Sequence, residues 1–303
     1  MNRSRHHHES APLPEFIRSP LFSSDAVCLA EVQCRGACRH RGAEEHTAEA
    51  QLVFPYRGLF VRHVGSDASV ADANQVLFFD ADDVHRVSHP VAGGDACFVM
   101  TLSPPVLSEL ATKEIYDGRA RRFRVRSRSL GSAAQALRNA LLNRLISNTS
   151  TTLEAESVSL ALATLAFSKL PVMPNRPTRS KRLMINRVKL LLAESTSRRI
   201  GLAEIGRQVG ASPVYLTQVF SQLEGLPLYR YHLRLRLAEA LARLPEQHDL
   251  SRLALDLGFS SHSQFTTLFG QTYGLPPSTF LQETSRADVR GLLKILKAMP
   301  STT

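Results

Sequence analysis

From Asp25 to Leu102 the apolar residues come in short runs rich in β-branched and aromatic side chains: Gln51–Phe54, Leu59–His63, Gln75–Phe79 and Cys97–Leu102. Turn formers such as Gly65-Ser66-Asp67 and Gly93-Gly94 separate them. Runs of that length between turns are strands, and several at this spacing predict a small barrel or sandwich. Beyond Pro104-Pro105 the period changes. Val106–Glu114, Leu130–Ser147 and Leu153–Leu170 are helical in pattern, with Ala134, Leu137, Leu141 and Leu145 on one face of the second. Pro171, Pro174 and Pro177 then break the pattern and mark a linker at 171–182, after which the chain reads as helix almost throughout to Glu283. The pattern predicts an α+β chain. Its divisions are a disordered amino terminus over 1–24, a β-barrel with a helical hairpin over 25–170, the linker, an all-α domain over 183–283 and an amphipathic tail over 284–303.

The all-α part is internally duplicated. Ile205, Val209 and Gly210 align with Leu253, Leu257 and Gly258, and Phe220, Gly225 and Pro227 align with Phe269, Gly274 and Pro276, one inserted residue near Phe259 reconciling the two registers. A repeat present only twice predicts paired modules, since a solenoid needs three or more units. In the first copy Leu202, Ile205 and Val209 form the apolar face of a short helix that stops at Gly210, a residue suited to the left-handed cap. Ser212 caps the next helix and Pro213 occupies its first position, where a missing amide costs nothing. Leu216, Val219 and Phe220 bury that helix and leave Val214, Thr217, Gln218 and Ser221 on its outer face. The second copy buries Leu253, Leu257, Phe265, Leu268 and Phe269, and turns His262, Ser263, Thr266 and Thr267 outward. Leu228–Leu244 lacks Gly and Pro and reads as one helix of about 25 Å. With the modules' own width added, its reach is comparable to the roughly 34 Å of one DNA turn, so each outer row is placed to enter a major groove.

Charge agrees with an anionic partner. Among 303 residues, 37 Lys and Arg stand against 27 Asp and Glu for a net charge of +10. With 43% hydrophobic and 21% charged residues the chain is not disordered throughout. No window approaches the roughly 18–20 apolar residues of a bilayer crossing, and Met1–Ser10 is polar, so a cytoplasmic protein that does not enter membranes is expected.

Ile200–Phe220, Gly225, Tyr231–Ala238, Leu257–Ser261, Phe265, Phe269 and Gly274–Pro277 resemble the DNA-binding domain of the AraC/XylS transcription regulators, over roughly residues 183–283. The resemblance implies a monomeric bihelical unit on double-stranded promoter DNA, a front domain that senses a small-molecule effector or forms a homodimer, and contact with RNA polymerase. It makes Pro213, Val214, Thr217, Gln218 and Ser221, with His262, Ser263, Thr266 and Thr267, the expected DNA-binding residues. The family commonly carries Arg or Lys on and beside these helices, where this chain has Gln218, Ser221, Thr267 and Gly270. Phosphate contacts are therefore expected from Arg207, Arg230, Arg234, Arg236, Arg243 and Arg252, together with Arg179, Lys181 and Arg182. Base readout rests on Thr217, Gln218, His262 and Ser263.

The front half resembles, more distantly, the cupin-like barrel and helical hairpin of such regulators. Within it Gln75–Pro90 is similar to the strand-turn-strand in which cupins turn a histidine into the barrel, which makes His85 the effector-pocket candidate. The helices at 130–147 and 153–170 supply a packing face for a homodimer. Cys28, Cys34, Cys38 and His40 lie close in sequence, with Cys34, Cys38 and His40 as the candidate metal ligands, but their spacing is not a strong zinc pattern and no cofactor is required. Open coordination and a general base are not indicated, so no enzyme activity is expected. The rival reading is a cupin-type metalloenzyme with a helical appendage. In the tail, Val289, Leu292, Leu293 and Leu296 form a stripe expected to dock on the protein.

Overall fold

A computed structural model describes residues 16–36, 41–168, 177–195 and 200–285. The front half opens with eight strands: β1 (Phe16–Ser23), β2 (Val27–Cys34), β3 (Gln51–Arg57), β4 (Leu59–Val64), β5 (Asp67–Asp72), β6 (Gln75–Phe79), β7 (Arg86–Ser88) and β8 (Asp95–Leu102). A short helix α1 (Pro104–Leu110), a small hairpin of β9 (Tyr116–Asp117) and β10 (Arg122–Phe123), and β11 (Ser127–Ser129) follow. Two long helices, α2 (Ser132–Ile146) and α3 (Thr152–Phe167), complete this half. Six strands form one antiparallel sheet in the order β1-β2-β8-β3-β6-β11, and β5-β4-β7 form the second wall of a cupin-like barrel.

Strand periodicity gives the large sheet two buried faces. Leu52, Phe54, Phe98 and Met100 pack with Leu137 and Leu141 of α2 and with Leu162 and Phe167 of α3. Val53, Leu77, Phe79, Cys97 and Val99 instead meet Phe60 and Ala71 inside the barrel. The predicted runs become β3, β4, β6 and β8. The amino-terminal boundary moves, because Phe16–Ser23 pairs with β2 as an edge strand rather than belonging to a disordered 1–24. Arg18 and Pro20 hide this strand from a hydrophobicity reading, and an edge is where a sheet accepts proline.

Seven helices follow: α4 (Arg179–Glu194), α5 (Leu202–Val209), α6 (Pro213–Glu224), α7 (Leu228–Arg243), α8 (Leu250–Asp256), α9 (His262–Tyr273) and α10 (Pro277–Ser285), with a 3-10 turn at Leu244–Glu246. Thr178 caps α4 by accepting from the Lys181 amide at 3.4 Å, so residues 179–182 belong to a helix and not to the linker. Among the described residues no helix is long and apolar enough to cross a membrane. The carboxyl-terminal stripe from Val289 to Leu296 lies outside the described residues.

The two halves share a core. Leu237, Leu241, Leu253, Phe265, Phe269, Tyr273 and Phe280 join the same apolar cluster as α2, α3 and the large sheet. The single apolar face expected for α2 is therefore an underestimate: from Ala134 to Leu142 every residue is buried, Gln135, Arg138 and Asn139 included. Arg138 donates to the Pro55 carbonyl at 2.6 Å, and burial pulls its guanidinium down to about 10. Arg144 pairs with Glu154 at 2.8 Å where α2 meets α3.

Polar side chains seal this junction. The Tyr231 hydroxyl of α7 donates to Asp72 at 2.6 Å, and the Asn74 amide donates to the Tyr231 carbonyl at 3.1 Å. Gln135 donates to the Ala73 carbonyl at 2.7 Å and accepts from the Tyr273 hydroxyl at 3.2 Å, so one α2 side chain ties the barrel to α9. Desolvation makes such bonds costly to break, a hydrogen bond to a charged group contributing about 1.5–3 kcal/mol. Tyr231→Phe is expected to lower unfolding free energy by about 2 kcal/mol with an unchanged denaturant slope; full stability in urea titration would show that the Asp72 bond contributes nothing.

Candidate nucleic-acid interface

Local chemistry builds each helix-turn-helix. α5 ends at Gly210, whose φ of 69° is the left-handed conformation expected for it. The turn is tight: a Cβ on Gly206 would lie 2.7 Å from the Ala211 carbonyl oxygen, whose own amide donates back to Gly206 at 2.9 Å. Ser212 then caps α6 by accepting from the Tyr215 amide at 3.2 Å, with Pro213 in the first turn. In the second module Asp249 caps α8, and Ser261 caps α9 by accepting from the Gln264 amide at 3.1 Å. The Gln264 side chain reaches back to accept from the Ser260 amide at 2.9 Å, a reciprocal arrangement that fixes where α9 begins. Gly225 and Gly274, at φ of 71° and 78°, end the two outer helices alike.

The modules are anchored differently. Ile185, Val188 and Leu192 of α4 cover Ile205, Leu216, Val219 and Phe220, giving the first module a core of its own that also takes in Tyr231. Lys189 and Glu224 pair within it at 2.8 Å. The second module has aromatic packing, Phe265–Phe269–Tyr273 in edge contacts, continuous with the core of the front half.

The outward rows remain at the surface. Val214, Gln218, His262, Ser263 and Thr267 are exposed, as is Pro213, while Thr217, Ser221 and Thr266 are half-buried. Thr217 donates into its own helix, to the Pro213 or Val214 carbonyl at 3.0 or 2.9 Å, which leaves its oxygen to act as an acceptor. Of the arginines, Arg207, Arg230 and Arg252 are exposed. Two others are corrected. Arg234 is half-buried in the junction and donates to the Leu130 carbonyl, and Arg236, also half-buried, donates to the Leu257 carbonyl while its guanidinium lies 4.2 Å from the Phe259 ring centre. Both side chains hold the fold together, so neither is placed to contact a phosphate. Arg243 pairs with Asp256 at 3.2 Å and Arg182 with Asp67 at 2.8 Å.

A family model described as a helix-turn-helix domain matches residues 205–283. The HTH-type transcriptional activator AarP of Providencia stuartii is 27% identical over 126 residues, covering 41% of this chain and 93% of that protein. Over residues 205–283 the chain carries a helix-turn-helix domain similar to that of AraC-type, DNA-binding transcriptional regulators. Among solved structures the chain is similar to a transcriptional regulator with an AraC-type DNA-binding domain from Chromobacterium violaceum, at 21% identity over 36% of this chain and 98% of that one, with a TM-score of 0.34. It is also similar to an apo ToxT variant from Vibrio cholerae, at 12% identity over 85% and 97% of the two chains, with a TM-score of 0.36.

Among the described residues, two cavities and one cluster of Cys, His and Asp side chains lie in or beside the front half. A space of about 330 Å³ opens between the barrel and α7, where Tyr56, Arg57 and Asp72 face Glu239, Arg243 and Leu257. A second, of about 290 Å³, is lined by Arg62, Asp80, Asp83 and the β10–β11 arginines. His85 lines neither. It is buried in edge contact with Phe79, its Nδ1 3.1 Å from the Asp83 carbonyl and its Nε2 3.8 Å from Glu45. Cys38 and His40 lie outside the described residues, and Cys28 is exposed six positions before Cys34, about 20 Å away along a strand. Cys28 and Cys34 therefore cannot share an ion. The fold instead gathers Cys34 with His89 and Asp95, residues remote in sequence that no spacing rule joins.

One titration follows from the burial of α7. Desolvation, with Arg236 nearby, pulls the His232 imidazole down to about 4, and its Nε2 has no hydrogen-bond partner. Between about pH 6.5 and 4 the unfolded chain binds a proton that the folded chain refuses, so stability falls as pH falls through that window. Lowering the pH from 7 to 5 is expected to remove about 2 kcal/mol through this group. His232→Gln should remove that part of the acid loss in paired denaturation curves, and identical pH slopes would contradict it.

Proposed function

We propose that the protein is a transcriptional regulator that holds double-stranded promoter DNA with α6 and α9 in successive major grooves. The observation that supports this is the pair of polar surface rows, Val214–Ser221 and His262–Thr267, on helices whose starts are set by serine caps and whose ends are set by left-handed glycines. The 16-residue α7 between them spans about 24 Å, which with the modules' width suits adjacent grooves on one side of a duplex. Arg207, Arg230 and Arg252 hold backbone phosphates, and Gln218 reads a base, glutamine being able to pair bidentately with adenine.

In this reading a small-molecule effector enters the front half. The cavity against α7 favours that role over the surroundings of His85, because a ligand beside Arg57, Glu239 and Arg243 touches both halves at once. A homodimer forms through the outer face of α3, where Leu153 is exposed, as is Ile146 at the end of α2. The protein works in the cytoplasm, meets RNA polymerase at the promoter and has no catalytic step of its own.

Selection of bound sequences from random duplexes tests the division of labour. Gln218→Ala is expected to relax preference at one base position by about 1–3 kcal/mol, while Arg252→Ala weakens binding to every sequence and makes the salt dependence shallower by about one unit. Two variants with indistinguishable sequence profiles, or a wild-type protein that enriches no sequence, would overturn the proposal.

A further inference from the structure

We propose a divalent-metal site at one end of the barrel, built by the Cys34 thiolate, the His89 imidazole and the Asp95 carboxylate, with zinc as the ion that this ligand set fits. The three donor atoms lie within 4.8 Å of one another. Their convergence follows from strand pairing: Cys34 ends β2, Asp95 begins β8, and the two are direct partners in the antiparallel register. Side chains so paired share a face of the sheet. His89 follows β7 by one residue, and its Nδ1 is hydrogen-bonded to Asp95.

The backbone around the cluster is closely packed. A Cβ on Gly94, whose φ is +72°, would fall 1.9 Å from the Cys34 carbonyl oxygen, and one on Gly58 would fall 2.2 Å from the Gly94 carbonyl oxygen. Only glycine allows the turn between His89 and Asp95 to lie so close against the end of β2. Cys34 and Asp95 are buried and His89 is half-buried, so the donors are held in place and solvent reaches the cluster on the side of His89.

Sulfur, nitrogen and oxygen donors together suit zinc, which takes three protein ligands and a solvent molecule in a tetrahedron. Bonds of about 2.0–2.3 Å place tetrahedral donors about 3.3–3.8 Å apart, so the widest pair closes by about 1 Å. The ion takes the place of the proton held between His89 and Asp95, which leaves to solvent together with the thiol proton, and the neutral imidazole keeps its one proton on Nε2. Val91, Ala92, Gly93 and Gly94, the turn bracketed by His89 and Asp95, form part of the wall of the cavity that faces α7. Metal binding thus fixes a segment at the boundary with the DNA-binding half.

Cobalt(II) titration of the metal-stripped full chain tests the site with no DNA present, so failure here leaves the DNA-binding proposal standing. One equivalent is expected to give the thiolate-to-cobalt charge-transfer band and tetrahedral visible bands, both displaced by zinc. Cys34→Ser should abolish the charge-transfer band, Asp95→Asn and His89→Gln should weaken binding at least tenfold, and Cys28→Ser should leave it intact. Circular dichroism of each stripped variant reports folding; if Cys34→Ser fails to fold, Asp95→Asn decides. No charge-transfer band in the wild type, a band that survives in folded Cys34→Ser, or unchanged affinity in Asp95→Asn would overturn the assignment.

Discussion

The junction between the barrel and the helical domain is sealed by side chains that cannot be returned to water cheaply, and the placement of the helix-turn-helix modules depends on it. Asp72 accepts from the buried Tyr231 hydroxyl, and Gln135 bonds to the barrel and to Tyr273 at once. A buried donor or acceptor stripped of its partner costs about 1–3 kcal/mol, so each of these bonds resists opening the junction. They define one arrangement of the halves more sharply than the surrounding apolar contacts do, because hydrophobic burial is not directional.

The two modules stand in different mechanical relation to the front half. The first keeps a private core of Ile205, Leu216, Val219 and Phe220 under α4. It meets the barrel through α4, where Leu190 and Ala193 pack against Leu59, Val61 and Val70, Asn186 donates to the Ala68 carbonyl at 2.7 Å and Arg182 pairs with Asp67, and through Tyr231, which donates to Asp72. The second has no separate core: Phe265, Phe269 and Tyr273 belong to the cluster that contains α2 and the large sheet. A change in the barrel that repacks α2 reaches α9 through direct contact. It reaches α6 only through α7 and α4. Differential response of two reading heads is therefore built into the packing.

Features set by neighbours in sequence are legible from the residues alone. The glycine and serine caps, the proline at the start of α6, the duplicated outer rows and the strands β3, β4, β6 and β8 all follow from short-range chemistry. What escaped depends on distant partners. Arg234 and Arg236 read as surface charge because nothing local reveals that the Leu130 and Leu257 carbonyls await them. β1 escaped because its edge position tolerates Arg18 and Pro20. The cysteines suggested metal chemistry through proximity in sequence, whereas a strand separates its residues by about 3.3 Å each and joins them to other strands instead. Cys34 accordingly meets Asp95 and His89, whose contribution no spacing pattern could signal.

The burial of so many guanidinium groups also alters what the formal charge of +10 means. Arg62, Arg138 and Arg144 are fully enclosed, so these cations steady carbonyls and carboxylates inside the protein. None can displace condensed counterions from a duplex, which is the source of affinity for arbitrary DNA. The cationic surface open to an outside partner is therefore smaller than the formal count suggests.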